Sequence, residues 1–169
     1  IEDGELMRAR LEALDIWDIE DGELVMTEPA GGPFAATARG VIYIVWERVS
    51  PTDSRFDVRR VGTDVPLSAI GPVQLPHRGT IDSFVEIDPS GRYVAIRGVD
   101  PTTDEAILRY FATDTGDLLA TRPYWPRVQF TAGGDYLFAK GPNGGRALYH
   151  TDDYLNIPSH DLTPRNKLL

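Results

Sequence analysis

The residues best suited to chemistry near neutral pH are three histidines, His77, His150 and His160. An imidazole can serve as a general base or a metal ligand, but either role needs a partner at a defined spacing. None of the three stands four residues from a second ligand, and no H-E-x-x-H pattern occurs. His150 falls in a strand-like run and reads as structural, whereas His77 and His160 fall in loops. No serine has the glycine-flanked context of a nucleophile elbow. The run Gly141-Pro142-Asn143-Gly144-Gly145 lacks the lysine of a phosphate loop and reads as a turn. The acidic pairs Glu20-Asp21 and Asp152-Asp153 carry charge suited to Ca²⁺, yet without D-x-D-x-D-G spacing they read as solvated turns. The expectation is a non-enzyme, with no catalytic residue, no metal ligand and no cofactor-binding residue.

Composition narrows the partners. The chain has 169 residues, 41% hydrophobic and 25% charged, with a net charge of -9 and no cysteine. A domain this acidic repels phosphate backbones and anionic lipid surfaces, so neither nucleic acid nor membrane is an expected partner. The absence of cysteine excludes disulfides and thiolate sites. No apolar run reaches the roughly 18 residues of a membrane span, and no signal-peptide pattern follows Ile1, which places the expectation in the cytoplasm. Because the first residue is isoleucine, the chain is expected to be a piece of a longer protein.

What must position any functional surface is a set of repeats. Residues 14–29 align without a gap on residues 108–123, sharing leucine (Leu14, Leu108), glycine (Gly22, Gly116), a second leucine (Leu24, Leu118), threonine (Thr27, Thr121) and proline (Pro29, Pro123). Each copy reads as strand, tight turn, strand. A second repeat sets Phe84-Val85-Glu86-Ile87-Asp88-Pro89-Ser90-Gly91-Arg92-Tyr93-Val94-Ala95-Ile96 against residues 129–139, with Gly91 matching Gly134 and Tyr93 matching Tyr136. Asp-Pro-Ser-Gly suits a type I turn, so both copies read as hairpins. The strands after these turns are apolar on both faces, which a sheet with one wet face would not be. Each small sheet is therefore expected to lie between two others.

The units form a series with a period of roughly 40–50 residues, that of four-stranded blades. Residues 14–29 supply an outer half-blade; residues 33–70, 82–121 and 127–158 supply three more blades. In the first full blade a weak fourth strand is expected near Pro66 to Ile70, and in the last at Tyr154 to Ile157. For residues 1–13 the helical spacing of Met7, Leu11 and Leu14 favours a short helix or irregular lead-in over a further strand pair. Residues 159–169 read as a tail. The fold class expected is all-β, a partial β-propeller of about 3–3.5 four-stranded antiparallel blades, with a short N-terminal helix as an option; a plain sandwich of hairpins would not need the 94-residue register.

Leu14 to Val25, with Trp17-Asp18 as its Trp-Asp pair, resembles the third-strand end of a WD40 repeat. Asp88 to Ala95 is similar to the hairpin of bacterial WD40-like propellers. The resemblance covers most of the chain but is degenerate: no Gly-His pair precedes a blade, and Phe111-Ala112 and Arg59-Arg60 stand where Trp-Asp would. The side-chain hydrogen-bond network of that family is expected to be absent, leaving the blades to apolar packing. Ala112 to Ala120 also resembles a quinoprotein-propeller repeat, one residue short and ending in Ala120, so no quinone is expected.

In such a propeller, loops between blades and between second and third strands share one face. That face would carry Tyr124, Trp125, Arg127, His77 and Arg78, with the loop from Val99 to Glu105, and these residue types are enriched at binding hot spots. Tyr124 and Trp125 could equally plug the seam between blades. The resemblance implies a non-catalytic interaction or sensor module of a larger multidomain protein, its ring completed by missing sequence or by a partner chain. Its alternative is the propeller portion gating a prolyl-oligopeptidase-like catalytic domain.

Overall fold

The computed structural model describes residues 5–9, 13–18, 20–29, 33–63, 65–76, 85–124, 127–140 and 146–156. Among the described residues, fourteen strands form four antiparallel sheets in chain order, and one helix follows the last. Sheet 1 holds β1 (Glu5–Ala9), β2 (Ala13–Asp18) and β3 (Leu24–Pro29). Sheet 2 holds β4 (Phe34–Thr37), β5 (Gly40–Arg48), β6 (Asp53–Arg60) and β7 (Ser68–Gln74). Sheet 3 holds β8 (Val85–Ile87), β9 (Tyr93–Val99), β10 (Ala106–Ala112) and β11 (Leu118–Pro123). Sheet 4 holds β12 (Arg127–Phe130), β13 (Tyr136–Lys140) and β14 (Arg146–His150), followed by α1 (Thr151–Asn156).

The repeats are visible in the backbone. The pairing of β2 with β3 slips between Ile16 and Trp17, and that of β10 with β11 slips at the matching step, between Tyr110 and Phe111. Gly22 and Gly116 close the two hairpins at φ of 69° and 74°, a conformation that costs glycine nothing. In the second repeat, Gly91 N–H donates to Asp88 O and Asp88 N–H to Tyr93 O; Gly134 N–H donates to Thr131 O and Thr131 N–H to Tyr136 O.

Two-faced strands feed two cores each. From β5, Ile42 and Ile44 enter a core with Phe56, Val58, Val94, Ile96 and Phe111, while Val41 and Tyr43 pack with Ile16. From sheet 3, Ala95, Leu108 and Tyr110 turn the other way, onto Leu137, Ala139, Tyr154 and Leu155. The three cores fill the seams between successive sheets, the packing of a partial β-propeller.

Three expectations are corrected. Residues 5–9 form a strand, not a helix, pairing Leu6 with Trp17 and Met7 with Ile16. A helix this short is marginal, and the open edge of β2 satisfies the backbone of residues 5–9 instead. Tyr154 to Asn156 belong to a helix rather than a fourth strand. Thr151, Tyr154 and Leu155 are buried at spacings of three and four, and Asp152 and Asp153 suit the positive end of the helix. Finally, β7 spans Ser68–Gln74, overlapping the strand expected near Pro66 to Ile70 but beginning and ending later.

Candidate functional site

The seams are tied by polar groups as well as apolar ones, which corrects the expectation of apolar packing alone. Between sheets 2 and 3, Ala38 N–H donates to Pro89 O at 3.0 Å, and Ser68 Oγ donates to Thr113 O at 2.7 Å. Arg39, in the β4–β5 turn, reaches Asp114 at 2.6 Å. Between sheets 3 and 4, Tyr93 Oη donates to Asp152 Oδ1 at 2.6 Å, and Arg92 Nη1 lies 3.3 Å from the same oxygen. Arg92 Nε donates to Ser90 Oγ, and the Ser90 hydroxyl donates to Asp88. The hydrogen bond from Tyr93 holds the Asp152 carboxyl below its ordinary range, with the Arg92 charge adding to it. Burial, then the Asp152 bond, pushes the Tyr93 hydroxyl up to about 12.

Deeper in that seam, Arg122 is buried and donates from Nη2 to Tyr154 O at 2.9 Å and Leu155 O at 2.8 Å, satisfying carbonyls that the short helix leaves open. Glu86 Oε1 accepts the Phe130 N–H at 3.2 Å, and burial raises its carboxyl above the ordinary value. A groove of about 310 Å³ opens along the same seam, lined by Tyr93, Ala112, Leu119, Asp152, Leu155 and Asn156. Its one carboxylate, Asp152, is held by Tyr93 and Arg92. Among the described residues no group of three or more histidines or carboxylates could hold a metal ion, and no helix is long and apolar enough to cross a membrane.

Of the predicted surface residues, Tyr124 is half-buried and packs against the sheet 3–sheet 4 core, its ring 4.0 Å from the Arg97 guanidinium. Its N–H donates to Ala106 O, extending the β10–β11 ladder by one residue. Arg127 opens β12 opposite Lys140. His77, Arg78 and Trp125 lie outside the described residues. His150 is exposed at the end of β14, its ring 5.5 Å from that of Tyr136.

A surface that the motifs did not single out lies on the far side of sheet 4. Leu137, Ala139 and Ala147 turn toward sheet 3. Their neighbours on the opposite face are Tyr136, 46% exposed, Leu148, 54% exposed, and the half-buried Phe138. Phe138 pairs with Leu148 and Tyr136 with His150 across the strands, so the four make one continuous patch. The alternation of strand faces was the available signal: a two-faced apolar strand needs a neighbour on each side.

No family model matches the chain, and neither does any curated protein. Solved structures do. Kluyveromyces lactis Hsv2, a seven-bladed propeller, superposes with a TM-score of 0.56 at 14% identity, over 98% of this chain and 53% of its own. The form of KlHsv2 with loop 6CD replaced by a Gly-Ser linker gives 0.55 at 13%, over 90% and 49%. The form with the complete loop 6CD gives 0.52 at 15%, over 89% and 46%. The chain thus spans about half the length of these structures, and the likeness is one of fold.

Proposed function

We propose that the chain is a non-catalytic interaction module: a run of degenerate WD40-like blades whose outermost sheet face docks protein and is completed by blades outside these 169 residues. The observation that carries this reading is the patch of Tyr136, Phe138, Leu148 and His150. In sheets 2 and 3 the corresponding faces bury Ile42, Ile44, Ala95 and Tyr110 against the next sheet. An apolar sheet face left in water is a docking surface by default. A second contact region on the same reading is the loop face named from the sequence, with Tyr124, Trp125, Arg127, His77 and Arg78.

The test uses an environment-sensitive apolar dye and the 169-residue chain. Leu148→Asp is expected to remove most of the dye signal with an unchanged far-UV spectrum, whereas Val65→Asp, at a still more exposed site off the patch, leaves it intact. Equal signals from wild type and Leu148→Asp would refute the reading.

A further inference from the structure

The patch carries a charge rule as well as an apolar one. In both seams that join described turns, an arginine on the turn between first and second strands of one sheet meets an aspartate two residues past the third strand of the next. Arg39 meets Asp114, and Arg92 meets Asp152. The two aspartates occupy equivalent backbone positions. Each follows a threonine whose N–H donates back to the turn of its own sheet, Thr113 to Arg92 O and Thr151 to Asp135 O, both at 2.9 Å. The same correspondence that matches Tyr93 to Tyr136 matches Arg92 to Asp135. The exposed patch on sheet 4 therefore presents an aspartate where the two preceding sheets present arginine.

At the other end of the chain, the repeat that matches Gly22 to Gly116 matches Glu20 to Asp114. A second copy stacking its sheet 1 on this patch would bring Glu20 against Asp135, two carboxylates where the other seams pair opposite charges. Exposed ion pairs add little stability, but like charges placed in opposition discriminate between partners.

Building on the docking reading above, we infer that the patch takes a blade encoded outside these residues with arginine or lysine two residues past its third strand, and that the Asp135–Glu20 opposition excludes a second copy of this chain. Sedimentation velocity of the 169-residue chain at low ionic strength, where charge is least screened, tests this. Wild type is expected to remain monomeric. Glu20→Arg and Asp135→Arg each restore an opposite pair and should self-associate at least about tenfold more tightly. The double variant opposes two arginines and should return to monomer, yet pair with wild type when mixed.

Net charge cannot mimic this pattern. Each reversal adds two positive charges to the wild-type value of -9, so the double variant repels itself least overall and would associate most if bulk charge governed. Wild type associating as tightly as the single variants, or the double variant associating most tightly, would overturn the inference. If the reversals change nothing while Leu148→Asp still removes dye binding, the charge rule falls and the docking face stands.

Discussion

The 94-residue repeat provides a matched pair of substitutions that reports on blade stacking. Gly22 and Gly116 occupy the same hairpin position at nearly the same φ, 69° and 74°. A Cβ added at Gly22 would meet nothing within 4 Å. One added at Gly116 would lie 2.6 Å from the Ala69 carbonyl oxygen and 3.2 Å from its carbon, backbone atoms of β7 in the neighbouring sheet. Alanine in the left-handed region costs roughly 1–2 kcal/mol at either site. The loss of unfolded-chain freedom on replacing glycine is also common to both, so it cancels in the difference. Gly116→Ala must in addition push a strand backbone aside, an overpacking that adds about 1–3 kcal/mol. Urea denaturation of the two variants should therefore show Gly22→Ala losing about 1–2 kcal/mol and Gly116→Ala about 2–5 kcal/mol. Equal losses would mean that sheet 3 does not stand against β7, and the stacked-blade packing would be wrong.

Other expectations concern the seam between sheets 3 and 4. Arg122→Met should cost about 2–3 kcal/mol in denaturant, because the Tyr154 and Leu155 carbonyls lose a charged donor; a cost near zero would exclude that role. Asp152 has a lowered pKa, so its contribution is present above the ordinary carboxylate range and is lost as pH falls through the folded value. Asp152→Asn should accordingly flatten the acid limb of the stability curve, by under about 1 kcal/mol because the group is largely exposed. Glu86 runs the opposite way: its raised pKa favours the folded state at acid pH, and that advantage is lost as pH rises through the folded value. Glu86→Gln keeps an acceptor for Phe130 N–H, so its stability relative to wild type should improve from acid toward neutral pH; the reverse trend would contradict the assignment.

The sheets were legible because their signals are local. Gly91, Gly134, Gly22 and Gly116 announce turns, and runs such as Val41 to Trp46 announce strands with two buried faces. Where two local signals competed, the context outside the segment decided. The helical spacing of Met7, Leu11 and Leu14 yielded to the open edge of β2, and the apolar pair Tyr154-Leu155 yielded to a site against Arg122 and the sheet 3–sheet 4 core. The seam network was hidden for a different reason: Tyr93 and Asp152 are 59 residues apart, and nothing in either neighbourhood specifies the other. The repeated Thr-Asp pairs, Thr113-Asp114 and Thr151-Asp152, were the signal that could have located it. The exposed patch on sheet 4 followed from strand alternation once the direction of Leu137 and Ala139 was fixed.

The central claim is that sheet 4 ends the described stack with a face built for another sheet. Hydroxyl-radical footprinting of the 169-residue chain tests it most directly, because aromatic and aliphatic side chains report their own exposure. The account predicts rapid modification of Tyr136 and Leu148, with Tyr43, Tyr110 and Tyr154 protected inside the seams. Protection of Tyr136 and Leu148 equal to that of Tyr110 would contradict it.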